Sequence, residues 1–142
     1  MENPLNIYFF GSIFGAPSDP KFNQKLISHV KTKGNVLSEH LFDDDYRQKE
    51  KLSPRGIHNR DLTWIKQSHV MVGDVTAPSL GVGYELREGV ITKKPILCLY
   101  RPQEGKNLSS MIEGSPGITV GKYRNLEEAL FLIDDFFESL KL

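Results

Sequence analysis

The sequence predicts an α/β protein: a single-domain three-layer sandwich with a five-stranded parallel sheet, flavodoxin-like or Rossmann-like in type. Short apolar runs alternate with amphipathic stretches along the chain. Strands that alternate with helices build a parallel sheet covered on both faces. The length of 142 residues is that of one domain, so residues 1–142 are expected to form a single unit.

The strands are predicted from five short apolar runs that are bounded by glycine, proline or polar residues. They cover residues 7–10, 36–37, 70–75, 95–100 and 118–120. The second run is expected to end near residues 39–40. In open parallel sheets, ligands bind at the carboxyl ends of the strands. Polar residues that follow these runs are therefore candidates for a site.

The helices are predicted from apolar residues at helical spacing. They cover residues 20–33, 57–68, 83–93 and 125–140, with Gly34 ending the first and Asn125 capping the last. Residues 43–54 are charged and aperiodic, which predicts a mobile loop.

The composition excludes several classes of protein. Eighteen basic residues balance eighteen acidic ones, so no broad basic field would recruit a nucleic-acid polymer. No apolar run is long enough to cross a bilayer. The only cysteine, Cys98, lies in an apolar run and is expected in the core, which fits a reducing compartment. We therefore expect a soluble intracellular protein, in the cytoplasm and with the nucleus as a second compartment.

The segment Ser79-Leu80-Gly81-Val82-Gly83-Tyr84-Glu85 carries the strongest chemical pattern. Backbone N–H groups at a glycine-rich helix start can hold an anion, and a carboxylate beside them can act as a nucleophile or base. Leu86 stands where a dinucleotide fingerprint needs its third glycine, and no Walker lysine follows. The plainer alternative is that Glu85 only stabilises the helix dipole and Ser79 only caps the helix.

Asp61 is the second candidate, because it shares a face with apolar residues of its predicted helix. An acid on an apolar face is costly unless it is paired or functional. A rim position with a hydrogen bond to His58 or Arg60 explains it as well as a catalytic role does.

Other candidates carry less information. Tyr8 lies in the first strand, where an aromatic residue is usually core, but its hydroxyl needs a partner. Ser109 has no distinctive local pattern. The four histidines show no metal-ligand spacing, so no metal site is expected.

Several blocks together resemble the 2'-deoxynucleoside 5'-monophosphate N-glycosidase family, within the nucleoside 2-deoxyribosyltransferase superfamily. The resemblance runs in order over nearly the whole chain, and the block of residues 79–85 is its most specific part. The blocks are Tyr8-Phe9-Phe10-Gly11-Ser12-Ile13, Glu39-His40, Ile57-His58-x-x-Asp61-Leu62-x-Trp64, Val75-Thr76-x-Pro78 through Leu86, Ile96 through Gln103, and Leu108-Ser109-x-Met111-Ile112.

The resemblance implies hydrolysis of the N-glycosidic bond to a free base and 2-deoxyribose 5-phosphate, without a metal or an organic cofactor. Glu85 would be the nucleophile at C1', Asp61 would protonate or steer the leaving base, and Tyr8 would lie against the sugar and nucleophile. Ser109 would reach the phosphate of a neighbouring subunit's site in a homodimer. The substrate and its phosphate would contact Gly11, Ser12, Ile13, His40, Ser79, Gly81, Gly83 and Ser109.

Three positions bear on substrate choice. Ser79 stands where the transferases carry an acid, and a serine can donate to a phosphate that an acid would repel. This favours nucleotides over nucleosides. Tyr8 suggests a deoxy preference, because relatives that cleave ribonucleotides tend to have Phe there. Phe14 replaces an Arg thought to help bind phosphate in mammalian members. Either phosphate affinity is lower here, or another cation, among Arg55, Arg60 and Arg87, substitutes.

Three alternatives to a deoxynucleotide N-hydrolase remain open at this point. A nucleoside 2-deoxyribosyltransferase would pass deoxyribose to another base. A ribonucleotide N-hydrolase would not need the deoxy sugar. A nucleotide-binding module would use the same pocket without turnover.

Overall fold

The computed structural model describes residues 4–12 and 20–141, so the predicted site residue Ile13 and the neighbouring Phe14 lie outside the described part. The elements alternate along the chain as predicted. They are β1 (Leu5–Phe10), α1 (Pro20–Val30), β2 (Gly34–Val36), a 3-10 turn (Glu39–Phe42), α2 (Tyr46–Lys49), α3 (Pro54–Gln67), β3 (Val70–Asp74), α4 (Leu80–Ile91), β4 (Ile96–Tyr100), α5 (Ser110–Glu113), β5 (Thr119–Lys122) and α6 (Leu126–Ser139).

The five strands form one sheet in the order β2-β1-β3-β4-β5, and every pairing is parallel. This is the flavodoxin-like order, whose ligand site lies at the switch point between β1 and β3. The predicted fold class is therefore confirmed. The register that sets the site pairs Tyr8 with Met71 and Phe10 with Gly73.

Helices cover both faces of the sheet, because side chains of each strand alternate between two apolar clusters. Ile7 and Phe9 of β1 pack in one cluster with residues of α1 and α6. Tyr8 and Phe10 pack in the other with residues of α3 and α4. The alternation therefore turns Tyr8 toward the helices that carry Asp61 and Glu85.

Two glycines bring the elements of this second face unusually close. A Cβ on Gly73 of β3 would lie 2.0 Å from the carbonyl oxygen of Phe10. A Cβ on Gly89 of α4 would lie 2.4 Å from the sulfur of Met71. At Gly73, only glycine fits against the backbone of the neighbouring strand β1. At Gly89, the missing side chain lets α4 lie close to Met71 of β3.

The structure corrects several predicted boundaries. α4 begins at Leu80 and α3 at Pro54, each three residues before its predicted start, since Ser79 and Ser53 cap them with their hydroxyls. β2 ends at Val36, and residues 39–40 belong to the 3-10 turn. The predicted loop at 43–54 contains α2, whose first residue Tyr46 is buried.

No helix among the described residues is both long and apolar enough to cross a membrane. Cys98 is fully buried in β4, and burial raises the pKa of its thiol to about 12.

Candidate active site

Tyr8 and Glu85 meet at the switch point of the sheet. The Tyr8 hydroxyl donates a short hydrogen bond to Oε2 of Glu85. Tyr8 is almost fully buried in β1, and Glu85 lies one turn inside α4. Burial and the nearby carboxylates raise the pKa of Tyr8, so its hydroxyl stays a donor and holds one carboxylate oxygen in place.

The carboxyl group of Glu85 has a higher pKa than an ordinary surface carboxylate. Its burial raises its pKa to about 7; the hydrogen bond from Tyr8 opposes the rise, and the charge of Asp61 adds to it. A poorly solvated carboxyl group that titrates near neutral pH is suited to nucleophilic or basic work.

Asp61 lies on α3 and shares the electrostatic environment of this pair, because its charge raises the pKa of both Tyr8 and Glu85. Its side chain is only 14% exposed, and burial raises its own pKa. Oδ1 of Asp61 accepts a hydrogen bond of 3.0 Å from Nε of Arg60, one of the two neighbours suggested by the sequence.

The start of α4 offers unfilled backbone donors. The Ser79 hydroxyl accepts the N–H of Val82 at 3.2 Å, and the Ser79 carbonyl accepts the N–H of Gly83 at 3.1 Å. The N–H groups of Leu80 and Gly81 belong to the first helical turn, where no intrahelical acceptor exists. The backbone N–H groups left open to an anion are therefore those of Leu80 and Gly81, whereas the N–H of Gly83 is used within the helix.

The two glycines of the motif face different ways. Residues four apart share a helix face, so Gly81 lies on the face of Glu85, and Gly83 lies on the face of Arg87. A Cβ on Gly81 would have only the Ser79 hydroxyl within 4 Å, at 3.9 Å. Open space therefore lies over the helix start on the side of the carboxylate.

A cleft of about 1010 Å³ opens on the other face of α4, between this helix and α5. Its walls include Ser79, Gly83, Arg87 and Ser109, but Glu85 is absent from them. Ser109 is exposed and caps α5 by accepting the N–H of Met111 at 3.3 Å. Within one chain, Ser109 thus shares a cleft with Ser79 and not with the carboxylate.

The remaining predicted residues are distributed around the switch point. Gly11 and Ser12 directly follow β1 and are buried. His40 lies in the 3-10 turn, with its ring centroid 5.2 Å from that of Trp64. The charge of His40 lowers the pKa of Asp61, which places this side chain within electrostatic reach of the site.

Sequence reasoning missed two groups of partners. Arg60 binds Glu50 as well as Asp61, although Glu50 lies in the segment predicted to be a loop. Asp74, to which the sequence assigned no role, accepts a short hydrogen bond from Tyr123. No local pattern could have revealed either pair, since each joins elements distant in sequence.

In residues 4–12 and 20–141, no three His, Cys, Asp or Glu side chains are grouped so as to hold a metal ion. The groups assembled here are two carboxyl groups and a tyrosine beside a helix start with open backbone donors.

The fold is that of the nucleoside 2-deoxyribosyltransferase class. A CMP N-glycosidase from Clostridium botulinum superimposes with a TM-score of 0.66 at 20% identity, covering 91% of this chain and 98% of that one. A 2-deoxyribosyltransferase from Bacillus psychrosaccharolyticus gives 0.64 at 17% identity, covering 88% and 90%. No protein-family model matches the chain.

Sequence comparison gives the narrower assignment. A 5-hydroxymethyl-dUMP N-hydrolase of Danio rerio is 43% identical over 141 residues, 96% of this chain and 98% of the relative. A Trichoplax adhaerens protein named putative 2'-deoxynucleoside 5'-phosphate N-hydrolase 1 is 44% identical, covering 93% and 92%. The human 5-hydroxymethyl-dUMP N-hydrolase is 39% identical, covering 94% and 79%. The chain belongs to the 2'-deoxynucleoside 5'-phosphate N-hydrolase family, which confirms the resemblance found in the sequence.

Proposed function

We propose that this protein hydrolyses the N-glycosidic bond of 2'-deoxynucleoside 5'-monophosphates, releasing a free base and 2-deoxyribose 5-phosphate. The observation that carries the proposal is the partly buried Glu85 carboxylate, held by Tyr8 on the same helix face as the open backbone donors at Gly81. The names of the family's relatives supply the substrate class.

In the first step, the free Oε1 of Glu85 attacks C1' of the sugar while the C1'–N bond breaks. The electron pair of that bond leaves with the base. Asp61, whose pKa burial raises, donates a proton to the departing base or steers it by hydrogen bonding. The oxocarbenium character that develops at C1' is neutralised by the carboxylate.

In the second step, water attacks C1' of the glycosyl-Glu85 ester. One proton of the water passes to the Asp61 carboxylate, and Glu85 leaves as a carboxylate. Tyr8 keeps Oε2 of Glu85 hydrogen-bonded throughout, so the nucleophile does not rotate between the two steps. The cycle needs neither a metal nor an organic cofactor.

The 5'-phosphate binds at the start of α4, where the helix dipole and the N–H groups of Leu80 and Gly81 favour an anion. The Ser79 hydroxyl adds a donor, because it can give its own hydrogen to phosphate while still accepting from Val82. Gly11 and Ser12 at the end of β1, and His40 in the 3-10 turn, contact the substrate at the same site.

The active form is a homodimer in which Ser109 of each chain serves the neighbouring site. Leu80 is 97% exposed and Met111 is 81% exposed, and both border the cleft that contains Ser79 and Ser109. Large apolar side chains this exposed, side by side, are typical of a surface that a partner covers. A second copy seated there would bring its own Ser109 to the phosphate end of α4.

The decisive experiment incubates wild-type protein and the Glu85→Ala variant with each 2'-deoxynucleoside 5'-monophosphate, its nucleoside and its ribonucleotide. The free base is quantified by chromatography. 5-Hydroxymethyl-dUMP is included first, because several relatives carry its name. We expect base release from deoxynucleotides by wild type only. Normal turnover by a folded Glu85→Ala variant would contradict the proposed nucleophile.

The other outcomes separate the alternatives. Exchange of the base when a second base is added, without need of the phosphate, would indicate a transferase like the Bacillus neighbour. Release from ribonucleotides would indicate the reaction of the Clostridium neighbour. Thermal stabilisation by nucleotide without any release would indicate a binding module.

A direct test of the covalent step is mass spectrometry of protein quenched during turnover. We expect a species heavier by one deoxyribose phosphate, attached to the peptide that contains Glu85.

Ser79→Asp tests the proposed phosphate site in the base-release assay, since an acid at this position would repel the phosphate dianion. The variant should lose nucleotide turnover by about a hundredfold relative to turnover of the nucleoside.

A further inference from the structure

Arg60 is the centre of a largely buried ionic cluster beside the proposed site. Its side chain is 19% exposed, and those of Glu50 and Asp61 are each 14% exposed. Nη1 of Arg60 lies 2.8 Å from both carboxylate oxygens of Glu50, and Nε lies 3.0 Å from Oδ1 of Asp61. One cation thus serves two acids that come from different parts of the chain.

The guanidinium is fixed from a third side. Its central carbon lies 4.8 Å from the ring centroid of Trp64, one helical turn further along α3. An arginine on an exposed helix face would rotate freely, but Glu50 and the indole ring leave this one a single arrangement. Its Nε–H is therefore aimed at Asp61 as a consequence of where Glu50 lies.

Glu50 directly follows α2, so the cluster also determines where the segment 43–52 lies. A pocket of about 220 Å³ separates this segment from α3, and it is lined by Arg60 together with His40, Tyr46, Lys49, Glu50, Lys51 and Leu52. Removing Arg60 would leave two carboxylates without their shared cation, and a largely buried unpaired charge is strongly unfavourable.

We propose that Arg60 is a positioning residue that locks the Asp61 carboxyl group and the segment ending at Glu50 into one arrangement beside the leaving base. This role rests on the proposed function, in which Asp61 assists departure of the base. In this role, Arg60 does not touch the substrate. It acts through Asp61, and its two carboxylate partners make it unsuited to replace the missing phosphate-binding arginine.

If Arg60 holds the Asp61 carboxyl group in this way, its loss changes the pKa of Asp61. Burial raises the pKa of Asp61, the hydrogen bond and charge of Arg60 lower it, Glu50 raises it, and His40 lowers it. Glu85 and Tyr8 face it from α4 and β1, and the Asp61 charge affects both. Loss of Arg60 should therefore move the Asp61 midpoint to higher pH, whereas loss of the Glu50 charge should move it to lower pH.

The test follows the Asp61 side-chain carboxyl carbon by NMR during pH titration, with the signal identified by its disappearance in Asp61→Asn. All proteins carry Glu85→Gln, which removes the coupled titration of the neighbouring carboxyl. We expect Arg60→Gln to raise the midpoint by about one pH unit and Glu50→Gln to lower it. Lys66→Gln, which removes one exposed positive charge from the same helix, is the matched control and should leave the midpoint in place.

The activity readout uses the same substitutions with Glu85 intact. Arg60→Gln should lower kcat at pH 7 about tenfold with a smaller change in KM, and Arg60→Lys should recover part of the loss because it keeps the charge. An unchanged Asp61 midpoint in folded Arg60→Gln and Arg60→Lys would overturn the proposal. Failure of the proposed function would look different: no base would be released by any protein, yet the NMR midpoints would still decide the role of Arg60.

Discussion

Tyr123 donates its hydroxyl hydrogen to Asp74 and thereby joins the residue after β5 to the carboxyl end of β3. Asp74 also accepts the N–H of Thr76 at 2.8 Å, and the Thr76 hydroxyl accepts the N–H of Arg101 at 2.9 Å. These bonds tie the ends of β3, β4 and β5 around the turn that leads into α4. The position of the helix start at Ser79 therefore depends on a pair far from the motif itself.

Tyr123→Phe removes the donor of this pair and leaves the Asp74 carboxylate with a single backbone partner. We expect a loss of about 1–2 kcal/mol in the free energy of unfolding, measured by denaturant titration. The KM for nucleotide should rise severalfold, since the turn before α4 loosens. In an Asp74→Asn background the same substitution should cost less, because the interaction is already weakened. Equal costs in the two backgrounds would rule out the coupling.

Glu85→Gln should stabilise the protein at neutral and higher pH while abolishing turnover. The folded protein holds Glu85 with a pKa of about 7, above its ordinary value, so ionising it costs free energy only in the folded state. This cost is absent at pH 4 and complete above pH 8. The variant should gain on the order of 1–3 kcal/mol at pH 8 and little at pH 4, as followed by thermal unfolding. Equal stability of the two proteins at pH 8 would contradict the raised pKa.

Tyr8→Phe should displace the pH dependence of activity. The proposed reaction requires the ionised Glu85, so kcat/KM is expected to rise with pH through about 7 in the wild type. The hydrogen bond from Tyr8 lowers the pKa of Glu85, and its loss should move the rising limb up by about one pH unit. Activity at pH 6 should thus fall much more than activity at pH 9. A uniform loss at all pH values would mean that Tyr8 acts on the sugar and not on the carboxylate.

Met111→Glu should convert the proposed dimer to a monomer and lower turnover, because each site would lose the Ser109 of its neighbour. Sedimentation velocity measures the assembly, and base release measures the activity. Phe131→Glu is the matched control, since Phe131 is 67% exposed on α6, away from the α4–α5 cleft. A wild-type monomer with full activity would exclude a site that needs Ser109 of a neighbouring chain.

Much of the framework could be predicted from the sequence because its determinants are local. Apolar runs such as those ending at Gly11 and Asp74 identify strands, and the strand–helix alternation leaves few sheet topologies. The placement of Glu85 at a glycine-rich helix start is also a local pattern. These features required no knowledge of distant contacts.

The parts that sequence reasoning missed depend on long-range packing. Glu50 is paired only because the segment 43–52 lies along α3, and a charged aperiodic stretch gives no sign of that. The open N–H of Gly81 can be distinguished from the helix-bonded N–H of Gly83 only when α4 is known to begin at Leu80. The proposed link between Ser109 and a neighbouring chain is invisible to any local pattern.

The strand order also matters for the chain while it is being synthesised. β1 is made first, yet it ends between β2 and β3, and the hydrogen bond from Tyr8 to Glu85 joins residues 77 apart. Until Val70 and its neighbours emerge from the ribosome, one edge of an apolar strand lies unpaired and open to other chains. The nascent chain therefore exposes this edge before the segment that carries Glu85 has been made.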